Sequence, residues 1–362
     1  MYKYIFKRIL LILPTLFIIM LVNFLIIQTA PGGPVERILA NLNNTTNIQG
    51  EVATSSVVAN LASSANNQEA KYNSAYGIDP QLISQIEKDY GFDKPLMARF
   101  LQTMKKFLSF DFGSSFYQDK KVTELLLEKL PVSISLGIWT TLIIYIVSIP
   151  LGIKKAVNDG TKFDITTSTI VIICNAIPSF LFAILLIVLF AGGNFFNIFP
   201  LRGLTSPNFS ELSLFEKIID YFWHLCLPIL AMVIGGFASL TFFVKNSFIE
   251  EINKQYVTTA YAKGLKQNQV LYHHVFRNAM MIIVAGLPAS LIGIFFTSSM
   301  LIEIIFSLDG LGLMGYEAVM MRDYPIIFAT LYLFTLLGLV MNIISDLTYK
   351  LVDPRVNFEG KF

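Results

Sequence analysis

Ile9 to Gln28 reads ILLILPTLFIIMLVNFLIIQ, with no Asp, Glu, Lys or Arg anywhere in it. A helix rises about 1.5 Å per residue and the hydrocarbon core of a bilayer is about 30 Å thick, so roughly 20 such residues suffice to cross it. The stretch therefore predicts a membrane-spanning helix. Five more stretches qualify on the same grounds: Val132 to Ile153, Thr167 to Phe190, Leu225 to Val244, Ala279 to Ile302 and Ile326 to Ser345. The third has the least definite end, because the uncharged run continues to Phe199. Of the 362 residues 54% are hydrophobic and 14% charged, a balance too apolar for an ordinary soluble domain. The expected fold is an all-α polytopic membrane protein with six transmembrane helices.

Positive residues are retained on the cytoplasmic side during insertion, and their placement here is one-sided. An N-in/C-in arrangement puts Lys3, Lys7, Arg8, Lys154, Lys155, Lys162, Lys245, Lys254, Lys263, Lys266, Arg277, Lys350, Arg355 and Lys361 inside. The two short outer connections then carry only Arg202, Lys217 and Arg322. The expected organisation is a cytoplasmic N-terminus with the first span (1–29), a small helical extracytoplasmic domain (30–131), a core of spans two to six (132–348) containing a cytoplasmic loop at 245–280, and a cytoplasmic tail (349–362). The first span exceeds a signal-peptide h-region and has no A-x-A site after it, so it reads as retained. Asn41 to Ser74 is rich in Asn, Ser, Ala and Thr and reads as a loose loop. Beyond it, Asp79-Pro80 reads as a helix start, Phe100, Leu101, Met104, Phe107 and Leu108 keep helical spacing, and Val122 to Lys129 predicts a short helix ended by Pro131.

No motif for catalysis or for holding a cofactor emerges. The phosphate-cradling G-x-x-x-x-G-K-[ST] loop is absent, as are G-x-S-x-G, H-E-x-x-H and any Cys/His cluster with metal-ligand spacing. Gly310 to Gly315 matches G-x-G-x-x-G, but it follows a span and not a strand of a βαβ unit, which makes it a decoy for dinucleotides. His273 and His274 are adjacent and point apart on a helix, so they read as solvated. Cys174 and Cys226 fall in spans and read as buried apolar thiols. A net charge of +2 without a basic patch suggests no nucleic-acid partner. An ion-coupled transporter usually carries a charged residue at mid-membrane. Here the nearest acids, Glu303 and Asp346, lie at helix ends and read as interfacial anchors, which counts against a secondary peptide transporter working alone. An intramembrane enzyme would need a catalytic pair at depth, and the spans offer none. A stripe of Ala285, Ala289, Gly293 and Thr297 recurs every four residues and reads as close helix packing or as one wall of a pathway. Asn175, Ser179 and Asn246 are further polar or small residues in or beside spans that stand as lining candidates.

The cytoplasmic loop is the most informative segment. It runs Tyr256-Val257-Thr258-Thr259-Ala260-Tyr261-Ala262-Lys263-Gly264-Leu265 and continues to Val275-Phe276-Arg277-Asn278-Ala279. Helical spacing puts Val257, Ala260, Tyr261 and Leu265 on one face, with Lys254, Lys263 and Lys266 to the sides. Gly264 sits where a helix stops or where another backbone comes close. A short amphipathic helix under the membrane suits a docking knob or a surface-lying helix.

This loop resembles the "EAA" coupling loop of ATP-binding-cassette importer permeases, in the dipeptide and oligopeptide branch, whose pattern is similar to Y-V-x-T-A-R-A-K-G-L followed by H-x-x-R-N-A. The sequence departs at Tyr261, where that branch carries Arg, and at Thr258, where the wider family has Glu. Ala30-Pro31-Gly32-Gly33-Pro34, Tyr90-Gly91-Phe92-Asp93-Lys94-Pro95, Asp111-Phe112-Gly113, Gly310-Leu311-Gly312, Arg322-Asp323-Tyr324-Pro325 and Asp353-Pro354-Arg355 extend the resemblance along the whole chain. The outer segment and Pro131 to Val157 are similar to the B-type permease subunit of Yej-type importers, associated with oligopeptides and microcin C. The resemblance implies a translocation subunit without catalytic residues or a bound cofactor of its own. It further implies a heterodimer with a C-type permease, a cytoplasmic ATPase that uses ATP and magnesium, an extracytoplasmic peptide-binding protein, and a peptide substrate. The contact with the ATPase would fall to Tyr256, Val257, Thr259, Ala260, Tyr261, Lys263, Gly264, Leu265, Arg277 and Asn278.

Overall fold

A computed structural model describes residues 2–29, 94–118, 120–192, 195–293 and 299–352. The loose loop, the Asp79-Pro80 helix start, Thr297 and the Asp353-Pro354-Arg355 tail lie outside them. Among the described residues the secondary structure is helical apart from an isolated antiparallel bridge between Ser114 and Lys121. The long helices are α1 (Tyr2–Thr29), α3 (Val122–Val157), α6 (Leu214–Ile252), α9 (Phe276–Gly293) and α12 (Tyr324–Val352). Between them lie α2 (Leu96–Leu108), α4 (Lys162–Ala176), α5 (Ser179–Phe190), α7 (Gln255–Ala262), α8 (Gln267–Val270), α10 (Ser299–Ile305) and α11 (Leu311–Met321). A π-turn at Leu271–Val275 makes α8 continuous with α9. Five helical stretches are long and apolar enough to cross a membrane, six if α4 and α5 count as one bent crossing.

Three expected boundaries differ. The short helix before Pro131 does not end there: α3 runs through Pro131 and Pro150. The proline removes one backbone donor, yet Leu125, Leu126, Val132 and Leu136 are buried on both sides of it, and this packing outweighs the break. The third stretch is two helices, not one, and α4 and α5 meet at 90°. Ile177 precedes a proline and is extended there (φ −83°, ψ 119°), as the steric clash with the proline ring demands. The fifth apolar helical stretch begins earlier than Ala279, running Gln267–Pro288.

The described chain forms two compact units. The smaller comprises Leu13–Thr123 and Ala318–Tyr332. In it the apolar face expected of α2 is realised by Phe100, Met104 and Phe107, all buried. Phe107 meets Tyr332 edge-on with ring centroids 5.6 Å apart, and Phe24 lies 5.5 Å from Phe100. Asp323, just before α12, accepts from the Ser115 hydroxyl at 2.5 Å and the Phe116 N–H at 3.2 Å. Burial raises its carboxyl pKa above the ordinary range.

The larger unit (Met1–Ile12, Glu124–Glu317, Leu333–Phe362) holds the remaining helices. One of its apolar cores gathers Leu136 of α3, Ala183 and Leu186 of α5, Leu225 and Met232 of α6, and Ile302 of α10. Polar clamps close the helix ends. Lys155 of α3, 0% exposed, pairs with Asp164 of α4 at 3.0 Å and donates to Thr167 and Ser168. Lys245 of α6 reaches the other Asp164 oxygen at 2.7 Å and Asp159 at 2.8 Å. A buried charge persists only where its partners are complete, and here they are. Asp346 pairs with Arg8 at 3.1 Å.

Candidate functional site

Helix α7 is only eight residues long, too short to persist alone in water, so tertiary contacts must hold it. They do so through Val257 and Ala260. Val257 is 2% exposed and sits with Ala260 in a core shared by Ile153 and Ala156 of α3, Val244 and Phe248 of α6, and Ala279 and Ile283 of α9. Burying a valine of this size contributes about 1.5–3 kcal/mol.

The end of α7 is fixed by its chain reversal. Gly264 adopts φ +81°, its N–H donates to the Tyr261 carbonyl at 2.9 Å, and the Leu265 N–H donates to the Ala260 carbonyl at 3.4 Å. This pair of bonds is the Schellman closure, completed by Leu265 folding back onto the same apolar core as Ala260. No other described atom lies within 4 Å of where a Gly264 side chain would start, so the residue serves backbone handedness and not close approach within this chain. The expected face needs one correction. Tyr261 is 45% exposed, and with Thr258, Thr259 and Lys263 it forms the outward side of α7.

The start of α7 carries a polar network. The Tyr256 hydroxyl donates to Glu251 Oε1 near the end of α6 at 2.7 Å and accepts from Asn278 Nδ2 of α9 at 3.3 Å. Lys254 pairs with the second Glu251 oxygen. Burial, reinforced by the Glu251 charge against the Asn278 donor, pushes the Tyr256 pKa up to about 12. The Glu251 carboxylate raises that of Lys254. Arg277 is exposed, as are His273 and His274.

The lining residues expected from sequence fall on α4, α5, α6 and α9 among the described residues. Asn175 is exposed at the end of α4, Ser179 is half-buried at the start of α5, and Asn246 is exposed on α6. Ala289 and Gly293 lie on α9. Ala285 of that stripe is buried, and its carbonyl accepts from Ser345 of α12 at 2.5 Å, a close-packed helix contact. A cavity of about 440 Å³ opens between α3, α6 and α9, lined by Thr141, Tyr145, Gly236, Ser239, Phe243 and Ser290. Tyr145 and Ser290 hydrogen-bond across it at 3.2 Å. The one sequence signal for it is the Gly235-Gly236 pair, costly inside a helix unless space is needed there. Cys174 and Cys226 are free and half-buried, not fully buried as expected.

Glu303 also departs from expectation. It is not interfacial but 0% exposed, and its carboxylate accepts the Leu313 N–H at 2.7 Å at the N-terminus of α11. Ser133 donates to it at 3.4 Å and accepts the Leu311 N–H at 2.9 Å. The glycine-rich run from Gly310 thus opens a helix onto an acidic group, but that group is the chain's own Glu303. A Cβ on Gly310 would stand 2.5 Å from the Glu303 carboxyl carbon.

A helical membrane protein whose long apolar helices are interrupted by a short, capped, half-buried helix has the build of a binding-protein-dependent transport permease. The chain belongs to the family described as "Binding-protein-dependent transport system inner membrane component", which matches over residues 148–358. It is 54% identical, over 99% of both chains, to the "Peptidoglycan transport system permease protein YejB" of Agrobacterium fabrum. It is 52% identical, again over 99% of both, to the "Inner membrane ABC transporter permease protein YejB" of Escherichia coli O157:H7. The "Oligopeptide transport system permease protein AppB" of Bacillus subtilis shares 29% identity over 99% of this chain and 100% of its own. The chain is therefore an ABC-transporter permease, a multi-pass inner-membrane protein that works with an ATPase and a substrate-binding protein.

Proposed function

We propose that this permease forms half of the pathway for oligopeptides or peptide-like compounds such as microcin C, paired with a C-type permease in a heterodimer. Its cytoplasmic ATPase partner, not this chain, uses ATP and magnesium. An extracytoplasmic peptide-binding protein delivers the substrate. The names of the oligopeptide and dipeptide permeases among its relatives support a peptide class, and the peptidoglycan named for the 54% identical relative itself carries peptide stems. The proposed topology has six crossings, N-in/C-in, with α4 and α5 as one bent crossing, residues 30–131 as the outer domain and residues 245–280 as the coupling loop. The proposed path lining is Asn175, Ser179, Asn246, Ala289, Gly293 and Thr297.

One observation carries the coupling role: α7 buries one face in a core shared with α3, α6 and α9 while its opposite face is exposed. The reading is that ATPase closure presses on that outward face and the spans rock between inward- and outward-facing states. Tyr261→Asp tests it, because the ring is exposed and its loss leaves the buried face intact. The expected result is a folded chain that no longer retains the ATPase on purification and no longer supports peptide uptake. Normal retention and normal uptake would overturn the docking assignment.

A further inference from the structure

We infer that the Tyr256 hydroxyl is a positioning group that ties α7 to α6 and α9 at once, so that force on α7 reaches both spans together; this rests on the reading of α7 as the ATPase-contacting helix. Glu251 is the penultimate residue of α6 and Asn278 the third residue of α9, while Tyr256 is the second residue of α7. One oxygen therefore touches three helices, donating its proton to Glu251 at 2.7 Å and accepting from Asn278 at 3.3 Å.

The apolar contacts of Val257 and Ala260 set how deeply α7 sits and which face it turns inward, and being non-directional they tolerate small rotations about its axis. Hydrogen bonds have preferred angles, so a hydroxyl bonded on two sides fixes that rotation. Lys254 holds the other Glu251 oxygen, which keeps the carboxylate turned toward the phenol. A phenol pKa pushed up to about 12 keeps the hydroxyl a neutral donor throughout the physiological range. The ring itself packs against the shared core, so Phe at this position retains the packing and removes only the hydroxyl.

The test uses the assembled transporter in proteoliposomes, with ATP hydrolysis and uptake of a tritiated peptide pool from a casein digest measured on the same vesicles. Tyr256→Phe, Asn278→Ala and the double variant are compared with the unaltered chain. Expected for both single variants is normal recovery of the ATPase but about three- to tenfold less peptide imported per ATP hydrolysed. The double variant is expected to lose less than the two single losses combined, because both changes remove the Tyr256–Asn278 bond, while the further contact of Asn278 with Glu251 is lost only in its own variants. A purely structural role lowers the yield of complex and leaves the ratio unmoved, so an unchanged ratio in Tyr256→Phe overturns the inference. Additive losses in the double variant overturn it as well. Failure of the unaltered chain to retain the ATPase would instead overturn the coupling reading on which the inference stands.

Discussion

Lys155 Nζ stands 3.0 Å from Asp164 Oδ1, with Lys155 fully buried, while the opposite oxygen of that carboxylate receives Lys245 at 2.7 Å. One acid thus serves two lysines from two other helices. Asp164→Asn leaves Lys155 buried with hydroxyl and carbonyl partners only, and is expected to cost about 3–5 kcal/mol. Lys155→Met leaves the carboxylate still paired with Lys245 and is expected to cost clearly less. Thermal unfolding in detergent ranks the two, and the opposite order contradicts the shared-acid arrangement.

Gly310 and Gly315 are five residues apart and should respond oppositely to alanine. At Gly310 a Cβ meets the buried Glu303 carboxyl, displacing it from the Leu313 N–H, with an expected loss of about 1–3 kcal/mol. At Gly315, inside α11, a Cβ meets no described atom, and the helix gains up to about 1 kcal/mol from reduced backbone freedom. The difference in unfolding temperature between the two variants is the measurement.

A similar contrast holds between Gly152 and Gly236 where α3 packs on α6. Alanine at Gly152 would place Cβ 2.7 Å from Val244 Cβ and 2.8 Å from the Thr241 carbonyl, neither of which can swing away. Separation of the helices is then expected to cost about 1–3 kcal/mol. At Gly236 the obstacle at 2.6 Å is the Cδ1 tip of Ile144, which changes rotamer toward the neighbouring cavity, so that variant should be nearly neutral. Detergent-stability curves of both separate the cases.

Gly264 needs a left-handed backbone and nothing else from within the chain. Gly264→Asn, which tolerates that conformation, should retain most uptake, whereas Gly264→Val should lose about 1–2 kcal/mol from the cap and uptake with it. Equal loss in both variants would show that an external surface presses on the glycine.

The charge-free runs reveal most of the crossings because the bilayer imposes a length and a polarity that any sequence must meet. Gly264 is legible as a helix stop or a close approach, and its φ of +81° with open space around it decides for the stop. Three features were not. The break at Ile177-Pro178 was signalled by the proline, but apolarity on both sides concealed a 90° turn. Glu303 reads as interfacial by its place near a helix end, and only Ser133, 170 residues away in sequence, together with the chain turning back at Gly310 buries it. Tyr261 shares a helical face with Val257 by spacing, yet α7 lies at the margin of its core, which covers Val257 and Ala260 and stops short of the next ring.

The elbow between α4 and α5 carries a requirement about what may surround it. The last carbonyls of one helix and the first amides of the next have no partner along their own helices, and Pro178 supplies no amide at all. The Ile177 N–H to Cys174 carbonyl bond, at 3.4 Å, satisfies little of that demand. Asn175, Ala176, Ile177 and Pro178 are all exposed in the isolated chain. In the proposed topology this corner lies near the middle of the third crossing, where acyl chains offer no hydrogen bonds. Lipid therefore cannot be its neighbour: either water or another polypeptide must wet these bare peptide groups.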